Sequence, residues 1–167
     1  MARIPWRRLL SRFPKHRLFR LFGLYPPYLG AGVRVRDVSP DLRSLTVEMP
    51  LRPWNRNYVG THFGGSLYSL ADPWFMLMLL EQLGDGYVVW DKAASIRFVT
   101  PGRGTVRAHF EIPAERVAEI RAEADRAGRA EPLFRVAITD DRGGLVAEVE
   151  KRLSVKTREA ARAAVRR

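Results

Sequence analysis

The sequence predicts an α+β fold: a curved antiparallel sheet of about six strands wrapped around one long apolar helix, with an extra helix on its surface. Three observations carry that expectation. Six segments read as strands, several with strict alternation of apolar and polar side chains. One segment, 66–83, is apolar around most of its circumference, so as a helix it must be enclosed. Another, 115–127, is apolar along one side only and belongs on the surface. At 167 residues the chain is most simply one domain, large enough to bury a core without staples.

Taken in order, residues 1–24 form a basic arm in which Ile4, Trp6, Phe13, Phe19 and Phe22 are interspersed with arginines, and Pro14 splits it into two short amphipathic pieces. Tyr25-Pro26-Pro27-Tyr28 reads as an extended connector, because each proline fixes its own φ and restricts the residue before it. The main domain spans 25–157. Its first two strands centre on Val33 and Val35 and on Leu45, Val47 and Met49, with the turn signal Ser39-Pro40-Asp41 between them. A Pro-, Asn- and Gly-rich loop over 50–65 leads into the apolar helix, which Gly84-Asp85-Gly86 ends. Strands over 87–99 and 105–112 flank Pro101-Gly102-Arg103-Gly104, a hairpin signal. In the second of these, Val106, Ala108, Phe110 and Ile112 face one way. The surface helix places Val117, Ile120 and Ala124 on one side and stops at Gly128. The last strands, 133–139 and 145–155, flank the turn at 140–144, and the Ala/Arg-rich tail 158–167 reads as a frayed helix.

Composition narrows the function classes. The absence of cysteine excludes a disulfide scaffold, a thiolate zinc site and a cysteine nucleophile, and suits a cytoplasmic protein. The three histidines have no metal-binding spacing, so neither a metal nor another cofactor is expected. The net charge of +11 lies at the ends: residues 1–20 hold seven Arg/Lys and no acid, and 151–167 hold seven against one Glu. Between them fifteen bases meet seventeen acids. The core is therefore near neutral, which argues against nucleic acid as the partner and favours solvated ends, with weak contact to anionic membranes as the other use of such termini. No secretory signal is visible, and the longest apolar run, 74–80, is far short of the roughly 20 residues that span a bilayer.

Chemistry concentrates in Asn57-Tyr58-Val59-Gly60-Thr61-His62-Phe63-Gly64-Gly65, followed seven residues later by Asp72. Two glycines opening a buried helix allow close approach to the backbone. They aim free N–H groups and the positive end of the helix dipole at a ligand, where a carbonyl oxygen gaining negative charge is stabilised. Asp72 lies within an otherwise apolar element, where an ionised carboxylate needs a partner or shifts toward the range of a general base. Donors for a carbonyl and a carboxylate to activate water, or to attack directly, are what thioester hydrolysis requires. Asp72-Pro73 is equally a good helix start, with Asp as N-cap and Pro at the first position; then Asp72 caps and the glycines only turn.

The pattern resembles the phenylacetyl-CoA-type hotdog thioesterases, whose motif reads N-x-x-G-x-x-H-G-G ahead of a catalytic acid on the central helix. The wider run, with Tyr25-Pro26-Pro27-Tyr28, Trp54-Asn55-Arg56-Asn57, Ala71-Asp72-Pro73, Val89-Trp90-Asp91-Lys92 and Lys151-Arg152-Leu153, resembles an uncharacterised bacterial hotdog branch related to them. The resemblance covers roughly residues 25–157 and implies a homo-oligomer, dimer or tetramer, with sites at subunit interfaces and an acyl-CoA or acyl-carrier-protein thioester as substrate. By position it makes Asp72 the base or nucleophile, gives Gly64 and Gly65 the backbone donors, and makes Asn57 a residue that orients substrate or water. One departure stands out: Phe63 occupies the motif's histidine position and His62 is displaced by one. That substitution leaves acyl binding intact and raises a non-catalytic acyl-CoA or lipid binder as the alternative.

The remaining candidates rest on residue type. His62 is a repositioned catalytic group or a solvated loop histidine. His62 and Phe63 line the substrate side, while Arg97 and Arg103, flanking the 101–104 loop, are candidates for the CoA phosphates. Asp91 and Lys92 suggest a local ion pair or, functionally, a lining of the subunit interface, His109 a solvated face, and the aromatic and Met residues of 74–80 a core with at most a few lining an acyl channel.

Overall fold

The computed structural model describes residues 14–165. Two short helices, α1 (Lys15–Arg20) and α2 (Pro26–Ala31), precede strands β1 (Arg34–Val38) and β2 (Ser44–Pro50). Helices α3 (Gly64–Ala71) and α4 (Trp74–Leu83) follow, then β3 (Tyr87–Phe98), β4 (Thr105–Glu111), helix α5 (Ala114–Ala127), β5 (Arg129–Ala130), β6 (Leu133–Thr139), β7 (Leu145–Thr157) and α6 (Arg158–Val165). The strands form one antiparallel seven-stranded sheet of order β1-β2-β4-β6-β7-β3, with the two-residue β5 beside β7. The expected sheet around an apolar helix is present. Val47, Met49, Val106, Ala108, Phe110, Ile138, Val149 and Leu153 line its inner face and bury against Leu70, Ala71, Trp74, Phe75, Met78 and Leu79. The β6–β7 pairing across 140–144 and the β1–β2 pairing across the Ser39 turn follow the sequence signals. Gly128, at φ +73°, stops α5 in the left-handed region that suits glycine.

Three sequence expectations are corrected. The central helix is two helices, broken at Asp72-Pro73. Proline has no N–H to continue the ladder. The Asp72 amide turns back to Ser69 O, the second helix restarts with Leu77 N–H on Pro73 O, and the Trp74 indole N–H occupies Leu70 O at 2.7 Å. Trp74 is fully buried, stacked on Tyr28 at 5.6 Å and edge-on to Phe22 at 6.0 Å. Truncating it to alanine removes a packed ring and that indole bond, a loss of about 3–5 kcal/mol.

The Tyr25–Tyr28 segment is not an extended connector. Only Tyr25 is extended, and the two prolines occupy the first turn of α2, where a missing N–H costs nothing. Nor is 101–104 a hairpin: β3 pairs with β7, and β4 with β2 and β6. The loop's carbonyls are taken by the preceding loop instead, Gly102 O by His62 N–H and Gly104 O by Leu51 N–H.

Of the basic arm, residues 1–13 lie outside the described residues, as do 166–167 of the tail. Phe19 of α1 is buried in the core. No helix among the described residues is long and apolar enough to cross a membrane.

Candidate functional site

The 55–65 loop is held by its own polar side chains. Buried Asn55 donates to Ala31 O and Pro50 O and accepts from Arg52 N–H, tying the loop to α2 and β2. Asn57 receives Thr61 N–H on Oδ1 and donates through Nδ2 to Thr61 Oγ1 and His62 O. Each of these Asn57 bonds stays within the loop, so it shapes the turn that carries Gly60 at φ +84°.

His62 is neither solvated nor presented outward. It is buried, with Nε2 3.1 Å from Gly104 O, and Nδ1 finds no partner among the described residues. Burial lowers its pKa, outweighing the opposite pull of the Gly104 carbonyl. Phe63, by contrast, is 55% exposed at the helix entrance.

Gly64 and Gly65 open α3 directly beneath two aromatic rings. A Cβ on Gly64 would stand 2.9 Å from the tip of the Phe98 ring, and one on Gly65 2.5 Å from the Phe63 ring. Phe63 caps the helix with backbone alone, and its carbonyl accepts from Leu67 N–H. The N–H groups of Gly64, Gly65 and Ser66 are the first-turn donors that a helix leaves without intrahelical acceptors.

The break between α3 and α4 presents Asp72. Its side chain makes no helix-capping hydrogen bond, so the N-cap alternative does not hold. Instead Oδ1 accepts from Lys151 Nζ at 2.8 Å. The same ammonium lies 3.0 Å from Asp91 Oδ1 and 3.3 Å from the Tyr68 hydroxyl. Lys151 is completely buried, whereas the carboxylate side chains remain 44% (Asp72) and 32% (Asp91) exposed. Burial by itself lowers the pKa of Lys151, but the hydrogen bonds to Asp72 and Asp91 outweigh it and leave the pKa raised. Burial raises Asp91 against the pull of Lys151, and raises Tyr68, with Asp72 adding to the effect. The Tyr28 phenol is pushed well up by burial and by the charge of Asp72. The cluster is thus one ammonium shared by two carboxylates, bordered by two neutral phenols.

Asp91 belongs to this cluster and not to a pair with Lys92, which bridges to Glu131 at 2.6 Å. Lys151 enters the sequence analysis only as part of the Lys151-Arg152-Leu153 segment and is given no role there, although its signal is present. Along β7 the inner row runs Ala147, Val149, Lys151, Leu153, Val155, so a lysine stands in an apolar register. Of the other candidates, Arg97 pairs with Glu148 at 2.6 Å, Arg103 is exposed, and His109 is exposed with Nδ1 2.9 Å from Thr46 Oγ1. Among the described residues no group of three or more His, Asp or Glu is arranged to hold a metal ion.

Gly65 and Asp72 are seven residues apart, about 10 Å along a helix at 1.5 Å per residue.

Comparison with known proteins places the architecture. A structure of a protein of unknown function from Pseudomonas aeruginosa, named as a probable thioesterase, superposes with a TM-score of 0.78 at 24% identity over 87% of this chain and 97% of that one. One of unknown function from Chlorobaculum tepidum gives 0.70 at 20% identity, covering 86% and 96%. A thioesterase from Haemophilus influenzae gives 0.65 at 17%, covering 85% and 90%. No curated protein matches the chain. The fold shared with these structures is the hotdog fold expected from the sequence. A family model described as a domain of unknown function, DUF4442, matches residues 15–155, and the chain belongs to that family.

Proposed function

We propose that the protein is a thioester hydrolase acting on acyl-CoA or acyl-carrier-protein substrates, with Asp72 as the general base, in a homodimer whose sites each draw on both chains. The observation that carries this reading is Asp72 itself, a half-exposed carboxylate at a break in an otherwise apolar helix, anchored by a buried lysine. Asp72 takes a proton from water as the water oxygen bonds to the acyl carbon. The oxyanion rests on the first-turn N–H groups of Gly64 and Gly65; its collapse breaks the carbon–sulfur bond and leaves the carboxylic acid, while the departing sulfur takes the proton back from Asp72 and leaves as the thiol.

The separation of about 10 Å between donors and base along one chain favours a second copy supplying one of them. The outer edge of β3, the last strand on the β7 side, takes no other strand among the described residues and offers a twelve-residue edge for such a copy. Exposed Phe63, Phe98 and Val99 at the α3 entrance suit an acyl chain. Arg103, exposed on the adjoining loop, suits a CoA phosphate.

The test is free-thiol release from short, long and aromatic acyl-CoAs by the wild type beside Asp72→Asn. Release that Asp72→Asn abolishes is expected, and turnover that survives it removes Asp72 from the mechanism. Phe63 at the histidine position favours a second reading, a non-catalytic acyl binder. Saturable acyl-CoA binding with no thiol release from any substrate would establish that alternative.

A further inference from the structure

Lys151 asks for an explanation that the core does not supply. An ammonium completely removed from water costs several kcal/mol even after relaxation, and its neighbours in the inner row of β7 are Val149 and Leu153. The sheet is adjusted to receive it. In β3 the register passes from Asp91 opposite Leu153 to Ala93 opposite Arg152 and Ala94 opposite Lys151, so the strand bulges at Lys92. Ahead of the bulge the inner row holds Val89 and Asp91, and beyond it Ala94, Ile96 and Phe98. The bulge switches which alternate residues share the inner side of the sheet, and it sets Asp91 three residues ahead of the small Ala94, the strand partner of Lys151. Bulges of this kind re-aim side chains beside functional sites.

Three side chains converge on the ammonium, Asp72 from the α3–α4 break, Tyr68 from α3 and Asp91 from β3, and the Tyr28 phenol of α2 lies near enough to both carboxylates to feel their charge. The grip on Asp72 is one-sided, since Nζ engages Oδ1 and the side chain stays 44% exposed. A carboxylate left free at a helix break would rotate about χ2. Held by one oxygen, it presents the other in a fixed direction.

We propose that Lys151 is the positioning residue of this site: with Asp91 as its second anchor, it locks Oδ1 of Asp72 and commits Oδ2 to the substrate side. This rests on the assignment of Asp72 as the base. Lys151 itself, having no exposed surface, touches no substrate. Its action on the reaction is through the orientation and charge of Asp72.

The experiment compares kcat and KM of the wild type, Asp72→Asn, Lys151→Met and Lys151→Arg, with the fold of each checked by thermal melting. Lys151→Met is expected to lower kcat by about 10- to 100-fold, the size found where a supporting partner of a working group is removed, with KM little changed. Lys151→Arg, which keeps a cationic donor, should recover part of that loss. A fall in kcat alone that a cationic donor recovers is not produced by general loosening. If Lys151→Met changes kcat and KM only in step with melting temperature, and Lys151→Arg recovers no rate, Lys151 is structural only and the proposal is overturned. Hydrolysis that needs Asp72 but is unaffected by Lys151→Met removes the proposal and leaves the assigned function standing. No hydrolysis by the wild type of any substrate removes both.

Discussion

The buried ammonium makes a sharp prediction about stability, independent of any substrate. In Asp72→Asn/Asp91→Asn, Lys151 keeps its fully enclosed position but loses both counter-charges, and only neutral acceptors remain, the introduced amide oxygens and the Tyr68 hydroxyl at 3.3 Å. Removing the partners of a buried charge costs about 3–5 kcal/mol. The structure caps that cost, because the lysine can shed its proton. From the ordinary lysine value of 10.5 down to pH 7, deprotonation costs about 5 kcal/mol at 1.36 kcal/mol per pH unit. The same relation leaves less than about 1 kcal/mol at pH 10. The double variant should therefore lose about 3–5 kcal/mol at pH 7, roughly 6–20 °C in melting temperature for a chain of this size. It should regain most of that by pH 10. The sign follows from linkage: in this variant the folded-state pKa of Lys151 is depressed, so folding releases a proton and stability rises with pH.

Lys151→Met is the asymmetric counterpart. It strands two carboxylates that are already partly in water, so they rehydrate, and the loss should stay within about 1 kcal/mol. Combining all three substitutions should restore most of what the double variant lost. Urea titrations at fixed protein concentration, at pH 7 and pH 10, read midpoint and slope separately. A double variant as stable as wild type at pH 7, a deficit that does not shrink by pH 10, or a triple variant that recovers nothing would refute the shared-ammonium account.

Two further outcomes follow from the α3 entrance. His62 is buried with a lowered pKa, so its contribution is complete above the unfolded value of about 6.5 and fades as pH falls; the wild type should lose stability below that pH, and His62→Gln should flatten the slope in acid-range melting curves. Gly65→Ala places a Cβ 2.5 Å from the Phe63 ring, so alone it should destabilise by about 1 kcal/mol or more, whereas on a Phe63→Ala background the helix-favouring alanine should be neutral or better; a double-mutant cycle with coupling below about 0.5 kcal/mol would contradict the contact.

Much of this protein was written along the chain. The period-two runs around Val47, Val106 and Val149, the encircling apolarity of 66–83 and the one-sided 115–127 were enough for a sheet wrapped on a helix with another outside. Burial of alternate residues and helix stripes are local consequences of backbone geometry. The Asn57 to Gly65 run and Asp72 were likewise singled out from residue type and spacing. What the chain did not disclose is where non-neighbouring segments meet. The glycines of 101–104 signal a turn in any context, and only the 51–62 loop, by taking their carbonyls, decides that β3 and β4 lie apart. The prolines of 26–27 allow either an extended connector or a helix start, and packing of Tyr28 on Trp74 favours the helix. His62 has the composition of a catalytic loop residue until Gly104 buries it. Lys151, 79 residues from Asp72 and 60 from Asp91, acquires its role only when β7 closes against β3 and the helix break. Charge pairing depends on distance in space, and a sequence records only distance along the chain.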